Sequence, residues 1–388
     1  MDRKKTDVWV KQIGQNRGAP RIWLDGIQAI RAGFAPGDKY DLEVDGDRVV
    51  LTINQDGSRT VSTKKKGERL LPVVDINSKE LLRAFQGMEA IRVVVQKGRV
   101  FLLPLASELQ IRERRQRLIN KLANNTPLKM GSLSHGGGVL SRAIHEGLIR
   151  AGVKAEMAFA NEIREDLLSH AIEHNDVWGE ETEALAIPVQ ELVQDEWLMQ
   201  RLPKLEILEM GLPCSGASSA GKAKRGLSMM EDHPEIGHLV FAALAVINRV
   251  QPTILQLENV VNYSKTASAQ ILRHQLRDMG YTVHEAVLEG KDWGILENRV
   301  RWCLVATTRG IEFDFDKIAP AVKVVKKLGD YLEEIPEDDP RWSEMRGLKE
   351  KEVRDAELGR NFKMQVFNAE STHIGTALLH KSVLASVR

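Results

Sequence analysis

An α/β fold is predicted, with a doubly wound, Rossmann-like sheet preceded by a small pseudo-symmetric β-barrel. Three observations carry the prediction. From Leu128 onward the chain alternates strand and helix patterns, which argues for a parallel sheet. A glycine triplet, Gly136-Gly137-Gly138, lies between the first strand and the first helix of that series. Ahead of it, the first hundred or so residues hold an internal repeat with a period of about 51.

The 388 residues suffice for two or three domains. With 55 basic against 54 acidic residues, bulk charge announces no polyanion partner, so a nucleic-acid surface has to come from local clustering. Two cysteines in so long a chain, Cys214 and Cys303, argue against a disulfide framework and for a reducing compartment. No apolar core follows the basic start at residues 1–5, and no run approaches the ~20 apolar residues of a membrane helix. A soluble cytoplasmic protein with no membrane partner and no metal is expected.

In residues 1–105 the run Tyr40 to Leu51 aligns with the run Ile91 to Leu102. Each is a pair of alternating strands about a glycine-containing turn, which reads as a hairpin. A short helical pattern precedes each copy, around Gln28 to Phe34 and Lys79 to Phe85. Neither copy buries its apolar face alone, so the two imply one small barrel. The pattern resembles the AbrB-like swapped-hairpin domains and the SymE-type toxin domain, many of which bind DNA. Between the copies, Lys64, Lys65 and Lys66, flanked by Arg59 and Arg69, form either a phosphate-contacting strip or a solvated loop. Residues 106–126 read as a charged helical linker, broken by Asn124-Asn125-Thr126-Pro127.

The alternating region, residues 127–310, opens with a strand from Leu128 to Leu133. The turn Ser134-His135-Gly136-Gly137-Gly138 follows, then a helix with Leu140, Ile144 and Leu148 on one face. A second strand, Ala155 to Ala160, ends in Asn161-Glu162, the acid about 24 residues beyond the triplet. A glycine turn lets backbone approach a ligand, and an acid at that distance can hold ribose hydroxyls. The run Leu205 to Met210 reads as a later strand, entering Gly211-Leu212-Pro213-Cys214-Ser215 and a mobile Gly/Ser loop with Lys222, Lys224 and Arg225 beyond it. A cysteine held rigidly on one side and accessible on the other suits a nucleophile. A buried structural thiol is the competing reading for a lone cysteine.

Two more segments complete the pattern. Pro252 to Val260 is a β-rich run ending in Glu258-Asn259, and Glu297-Asn298-Arg299-Val300-Arg301 leads into another strand. Together these segments resemble the catalytic motifs of the cytosine-5 DNA methyltransferases: a Pro-Cys loop, a Glu-Asn-Val strand end and a Gln-x-Arg-x-Arg approach, with Glu297 where the family usually has glutamine. The turn resembles that family's S-adenosylmethionine site, although the family usually has Phe-x-Gly where this chain has Leu133-Ser134-His135. His135 therefore either crowds the cofactor tail or faces solvent. His174-Asn175 and the stretch from Ile187 to Trp197 fall where the family that these motifs resemble places its third strand.

The resemblance implies a methyltransferase sheet and methyl transfer to carbon 5 of cytosine in double-stranded DNA. Cys214, Glu258, Arg299 and Arg301 are then catalytic. Ser134, Gly136, Gly137, Gly138, Glu162, Ile163 and Pro213 bind the cofactor. Ser215, Lys222, Lys224 and Arg225, with the three lysines of the barrel, meet nucleic acid. Residues 311–388, charged and proline-containing, stand where the family places its target-recognition region, apparently truncated, with no Gly-Asn-x-Val segment. Two other functions compete: a degenerate methyltransferase serving as a DNA-binding or regulatory protein, and methylation of RNA cytosine. The oligomeric state is not legible.

Overall fold

The computed structural model describes residues 6–318, 325–336, 338–340, 342 and 344–375, with only the backbone of Ser219, Ala220 and Lys224. The chain divides into two compact units, residues 1–113 and 114–388.

The first unit contains β1 (Asp7–Gln12), β2 (Gly14–Asn16), β3 (Ala19–Asp25), α1 (Ile27–Arg31), β4 (Lys39–Asp45) and β5 (Arg48–Ile53). These are followed by β6 (Arg59–Thr60), β7 (Ser62–Lys66), β8 (Arg69–Asn77), β9 (Ala90–Gln96) and β10 (Arg99–Pro104). They form two antiparallel sheets, ordered β1-β9-β10-β5-β4-β6 and β2-β3-β8-β7. The repeat is visible in the pairing. Val49 sits opposite Leu102 and Leu51 opposite Val100, so matching strands of the two copies pair with each other. Strand alternation sends these four side chains into one core with Ile22, Leu24, Val74 and Ile76. The second copy's helical pattern shrinks to a short 3-10 turn, Arg83–Phe85, that still buries Phe85. Lys64, Lys65 and Lys66 lie on β7, an exposed strand at the sheet edge, rather than in a loop. Lys64 is drawn back to Asp25 at 3.2 Å.

Helix α2 (Ala106–Ala123) leads from the linker segment into the second unit's residues. Its second half is bound to the sheet base through buried charge. Glu206 accepts from Arg117 Nε at 2.8 Å, Lys121 Nζ at 2.7 Å and the Lys129 amide at 2.7 Å. Arg114, fully buried, donates to Gln251 Oε1 and the Met279 carbonyl and lies 4.1 Å from the centre of the Tyr281 ring.

The second unit runs β11 (Leu128–Leu133), α3 (Val139–Arg150), β12 (Ala155–Asn161), α4 (Glu165–His174), β13 (Glu183–Leu185), α5 (Val189–Gln194) and α6 (Glu196–Arg201). It continues with β14 (Ile207–Met210), α7 (Ser219–Arg225), α8 (Leu239–Val250), β15 (Ile254–Asn259), α9 (Ala267–Asp278), β16 (Tyr281–Glu289), β17 (Val300–Thr308) and α10 (Arg346–Glu357). The sheet order is β13-β12-β11-β14-β15-β17-β16. Strands β11 to β15 pair in parallel, and β17 runs antiparallel to both neighbours. Strand order reverses beside β11, which opens a crevice at the carboxyl ends of β11 and β14. Leu133, Leu208, Met210, Leu255 and Leu257 fill the core with the apolar face of α8. The expected third strand is corrected: it is Glu183–Leu185, while the stretch from Ile187 to Trp197 is largely helical and His174 closes α4. Three residues suffice for an edge strand paired on one side only.

Candidate active site

The glycine turn and the acid predicted to work together do meet. Beyond β11 the backbone takes left-handed angles at Ser134 (φ 56°), Gly136 (φ 58°) and Gly138 (φ 75°). Glu162, 8% exposed, accepts from the Gly136 amide at 2.8 Å and from the Arg164 amide at 2.9 Å. Ile163 beside it is 64% exposed. A side-chain carbon added to Gly136 or Gly137 would meet nothing within 4 Å, so the turn is open along its outer side. An acid at a strand end, an exposed apolar side chain and an open glycine backbone fit an adenosyl cofactor.

His135 does not face solvent. It is 7% exposed, with its ring turned under the turn, where Nδ1 lies 2.9 Å from Ser132 Oγ and 3.2 Å from Ser141 Oγ. The solvent-facing alternative is excluded, and the ring lies on the core side of the turn.

Beyond β14 the chain stays paired for one more residue, the Gly211 amide donating to the Leu133 carbonyl at 3.1 Å. Leu212 is buried, Pro213 and Ser215 are half-buried, and Cys214 is exposed. The Cys214 carbonyl accepts from the amides of Ala217 and Ser218, closing a tight loop. Ser218 then caps α7 through the Gly221 amide at 3.1 Å. A Cβ on Gly221 would fall 1.7 Å from the Ser215 carbonyl oxygen, so only glycine fits. Lys222 Nζ reaches the Ser228 carbonyl at 3.4 Å and Arg225 is exposed, while the Lys224 side chain lies outside the described residues.

Glu258 reaches the same crevice from β15. Because β17 is antiparallel, its first residues lie beside the last residues of β15: Glu258 faces Cys303 and Asn259 faces Trp302. That register brings Arg301 Nε to 2.8 Å from Glu258 and Arg299 Nη2 to 3.7 Å, although Arg299 just precedes the strand. Glu297 lies 3.8 Å from Arg299. Cys303 is buried behind Glu258, its thiol pushed up to about 11 by burial first and the Glu258 charge second.

Two contacts escaped the sequence. Asn259 Nδ2 donates to the Leu212 carbonyl at 2.9 Å, tying the Glu258 strand end to the cysteine loop. Residues 371–375 return to the arginine approach: Ile374 accepts from the Asn298 amide and donates to the Leu296 carbonyl, each at 2.8 Å. A cavity of about 620 Å³ lies apart from these groups, lined by the amino-terminal half of β12 with Asp176, Trp178 and Arg201.

Comparison with known proteins gives the family. The C-5 cytosine-specific DNA methylase family matches residues 143–380, and the chain belongs to that family. It is similar to the Type II methyltransferase M.NlaX of Neisseria lactamica, 30% identical over 184 residues, or 45% of this chain and 55% of the relative. It is also similar to the Type II methyltransferase M.MspI of Moraxella sp, 33% identical over 136 residues, or 34% of this chain and 31% of the relative. The chain thus spans about half or less of the length of these relatives. Among solved structures, the S. pombe Dnmt2 methyltransferase aligns with 64% of this chain and 70% of its own at 18% identity, with a TM-score of 0.44.

Proposed function

We propose that the protein methylates carbon 5 of cytosine in double-stranded DNA, using S-adenosylmethionine. The carrying observation is that exposed Cys214 and the Glu258–Arg301 pair occupy neighbouring strand ends joined by Asn259. The cofactor supplies an electrophilic methyl group. Gly136, Gly137, Gly138 and Glu162 hold it, with Ser134, Ile163 and Pro213 at the margins.

Carbon 5 of cytosine is a weak nucleophile. Addition of the Cys214 thiolate to carbon 6 makes the ring an enamine, which is nucleophilic at carbon 5. Glu258 binds the base edge and supplies a proton toward ring nitrogen 3 as that charge builds. Arg301 orients the Glu258 carboxyl, and Arg299 lies within reach of the base carbonyl or a phosphate. Once carbon 5 has formed its bond to the methyl group, loss of its proton to solvent water expels the thiolate from carbon 6 and restores the ring. A duplex base reaches Cys214 only after extrusion, which costs about a few kcal/mol. Ser215, Lys222, Lys224 and Arg225 meet the flanking strand and offset part of that cost.

In this reading residues 127–310 are catalytic, residues 106–126 connect, and residues 311–388 recognise the target. Residues 1–105 add a duplex-binding surface through Lys65 and Lys66, with Lys64 released from Asp25. A cytoplasmic restriction–modification role is proposed, in keeping with relatives named Type II methyltransferases. The experiment is transfer of labelled methyl from S-adenosylmethionine to duplex DNA, with tRNA as comparison. Label in duplex DNA at cytosine carbon 5 supports the reading, label confined to tRNA redirects it to RNA, and none in either contradicts it.

A further inference from the structure

Beneath the glycine turn lies a polar cluster that the catalytic steps leave unused. Glu209 stands inside β14 at 2% exposure, flanked by Leu208 and Met210. Its Oε1 accepts from Ser132 Oγ, and from Ser141 Oγ at 2.5 Å. Both hydroxyl protons are thereby committed to Glu209, so the hydroxyl lone pairs face His135, and the proton on that side of the ring belongs to Nδ1. The ring packs edge-on against Trp178 at 5.6 Å between centroids. Its far side fills the place of a side chain at Gly138: a Cβ there would fall 2.5 Å from His135 Nε2 and 2.3 Å from Asn175 Nδ2. Asn175 Nδ2 in turn donates to the Gly138 carbonyl at 2.9 Å.

We propose that His135, held by Ser132, Ser141 and Glu209, is the positioning residue of the cofactor turn. The proposal rests on reading that turn as the S-adenosylmethionine site. The ring acts as a strut. Its backbone amide is anchored to the Asn161 carbonyl at 3.0 Å, and its carbonyl accepts the Gly138 amide at 2.9 Å. With the ring drawn inward, Ser134 and Gly136 are left in left-handed conformations, and the Gly136 amide is presented to Glu162. A plain packing role does not explain the composition, because a carboxylate buried inside a strand is costly unless its partners are fixed. Replacing His135 by the glycine usual in the family would leave the two hydroxyls that hold Glu209 without the Nδ1 donor. His135 and Glu209 therefore belong together.

The test is calorimetric binding of S-adenosylmethionine to the full chain, with thermal unfolding as control, for wild type, H135A, H135L and H135N. H135L fills the space without a donor, whereas H135N places an amide nitrogen near the Nδ1 position. Loss of a hydrogen bond to this charged cluster weakens cofactor binding roughly tenfold or more in H135A and H135L. H135N recovers to within about threefold of wild type, which packing alone does not predict. Wild-type affinity in H135L, or no recovery in H135N, overturns the positioning role. Should H135A fail to fold, H135L against H135N still decides. Absence of binding by wild type overturns the cofactor-site reading itself.

Discussion

Cys214 is exposed on a loop tied to β15 by Asn259, whereas Cys303 is buried in β17 with its thiol raised to about 11. At pH 8 that thiol stays protonated and out of reach, so brief iodoacetamide treatment of folded protein labels Cys214 and spares Cys303. Peptide mass mapping checks this, and both cysteines react after denaturation. Equal labelling in the folded state contradicts the burial of Cys303. The catalytic candidates were legible because polar residues at the ends of apolar runs have few structural reasons to be there. His135 was not, since a sequence names a loop residue without saying which side of the turn its ring takes. Glu206 and Glu209 were hidden differently: both fall in Leu205 to Met210, which reads as an apolar strand until its two acids are asked for partners.

Among elements, α2 shows the most distance between pattern and structure. Its charged sequence and thin apolar stripe read as a linker, yet Arg114, Arg117 and Lys121 point into the base of the sheet. Removing Glu206 takes away the negative charge that balances Arg117 and Lys121, both of low exposure, so E206A costs about 3–5 kcal/mol in chemical denaturation, far above a surface substitution. A loss below ~1 kcal/mol would rule out a tightly paired cluster. The β16–β17 hairpin carries a pH signature. Arg273 donates to both Glu285 oxygens at 2.7 and 2.8 Å, and Trp302 Nε1 donates at 2.8 Å. Chiefly through Arg273, and against the opposing effect of burial, the carboxyl is held below its usual value of 4.5. A lowered folded value means that the stabilisation is full above about 4.5 and disappears as pH falls through the folded value. E285Q is therefore less stable than wild type by about 1 kcal/mol at pH 7, and the gap closes as pH falls below the usual carboxylate range. A gap independent of pH contradicts the ion pair. The antiparallel direction of β17 was within reach of the sequence: only residues 290–299 separate it from β16, too few for a parallel crossover. The three-residue β13 was not, because so short an edge strand has no period to read.

At the scale of the molecule, each unit has its own apolar packing, one core formed by the repeated hairpins in the first and two clusters against the mixed sheet in the second. Residues 1–113 alone are accordingly expected to unfold cooperatively in a circular-dichroism melt. If Lys65 and Lys66 contact phosphate, the fragment's affinity for duplex DNA falls steeply with salt. A folded fragment with no binding at low salt makes it a protein-interaction or structural module. The repeat was legible because matching hairpins keep the same alternation 51 residues apart, as Val49 and Val100 show. No helix among the described residues is long and apolar enough to cross a membrane. Cytosine methylation through a Cys214 adduct is tested most directly with labelled duplex DNA carrying 5-fluorocytosine, incubated with S-adenosylmethionine and resolved on a denaturing gel. Fluorine at carbon 5 cannot leave as a proton does, so the bond from sulfur to carbon 6 persists after methyl transfer. Wild type and C303S should give a retarded band, E258Q should form it more slowly, and C214S should give none. A band that survives C214S, or no band from wild type on cytosine sites that it binds, would contradict Cys214 as the nucleophile.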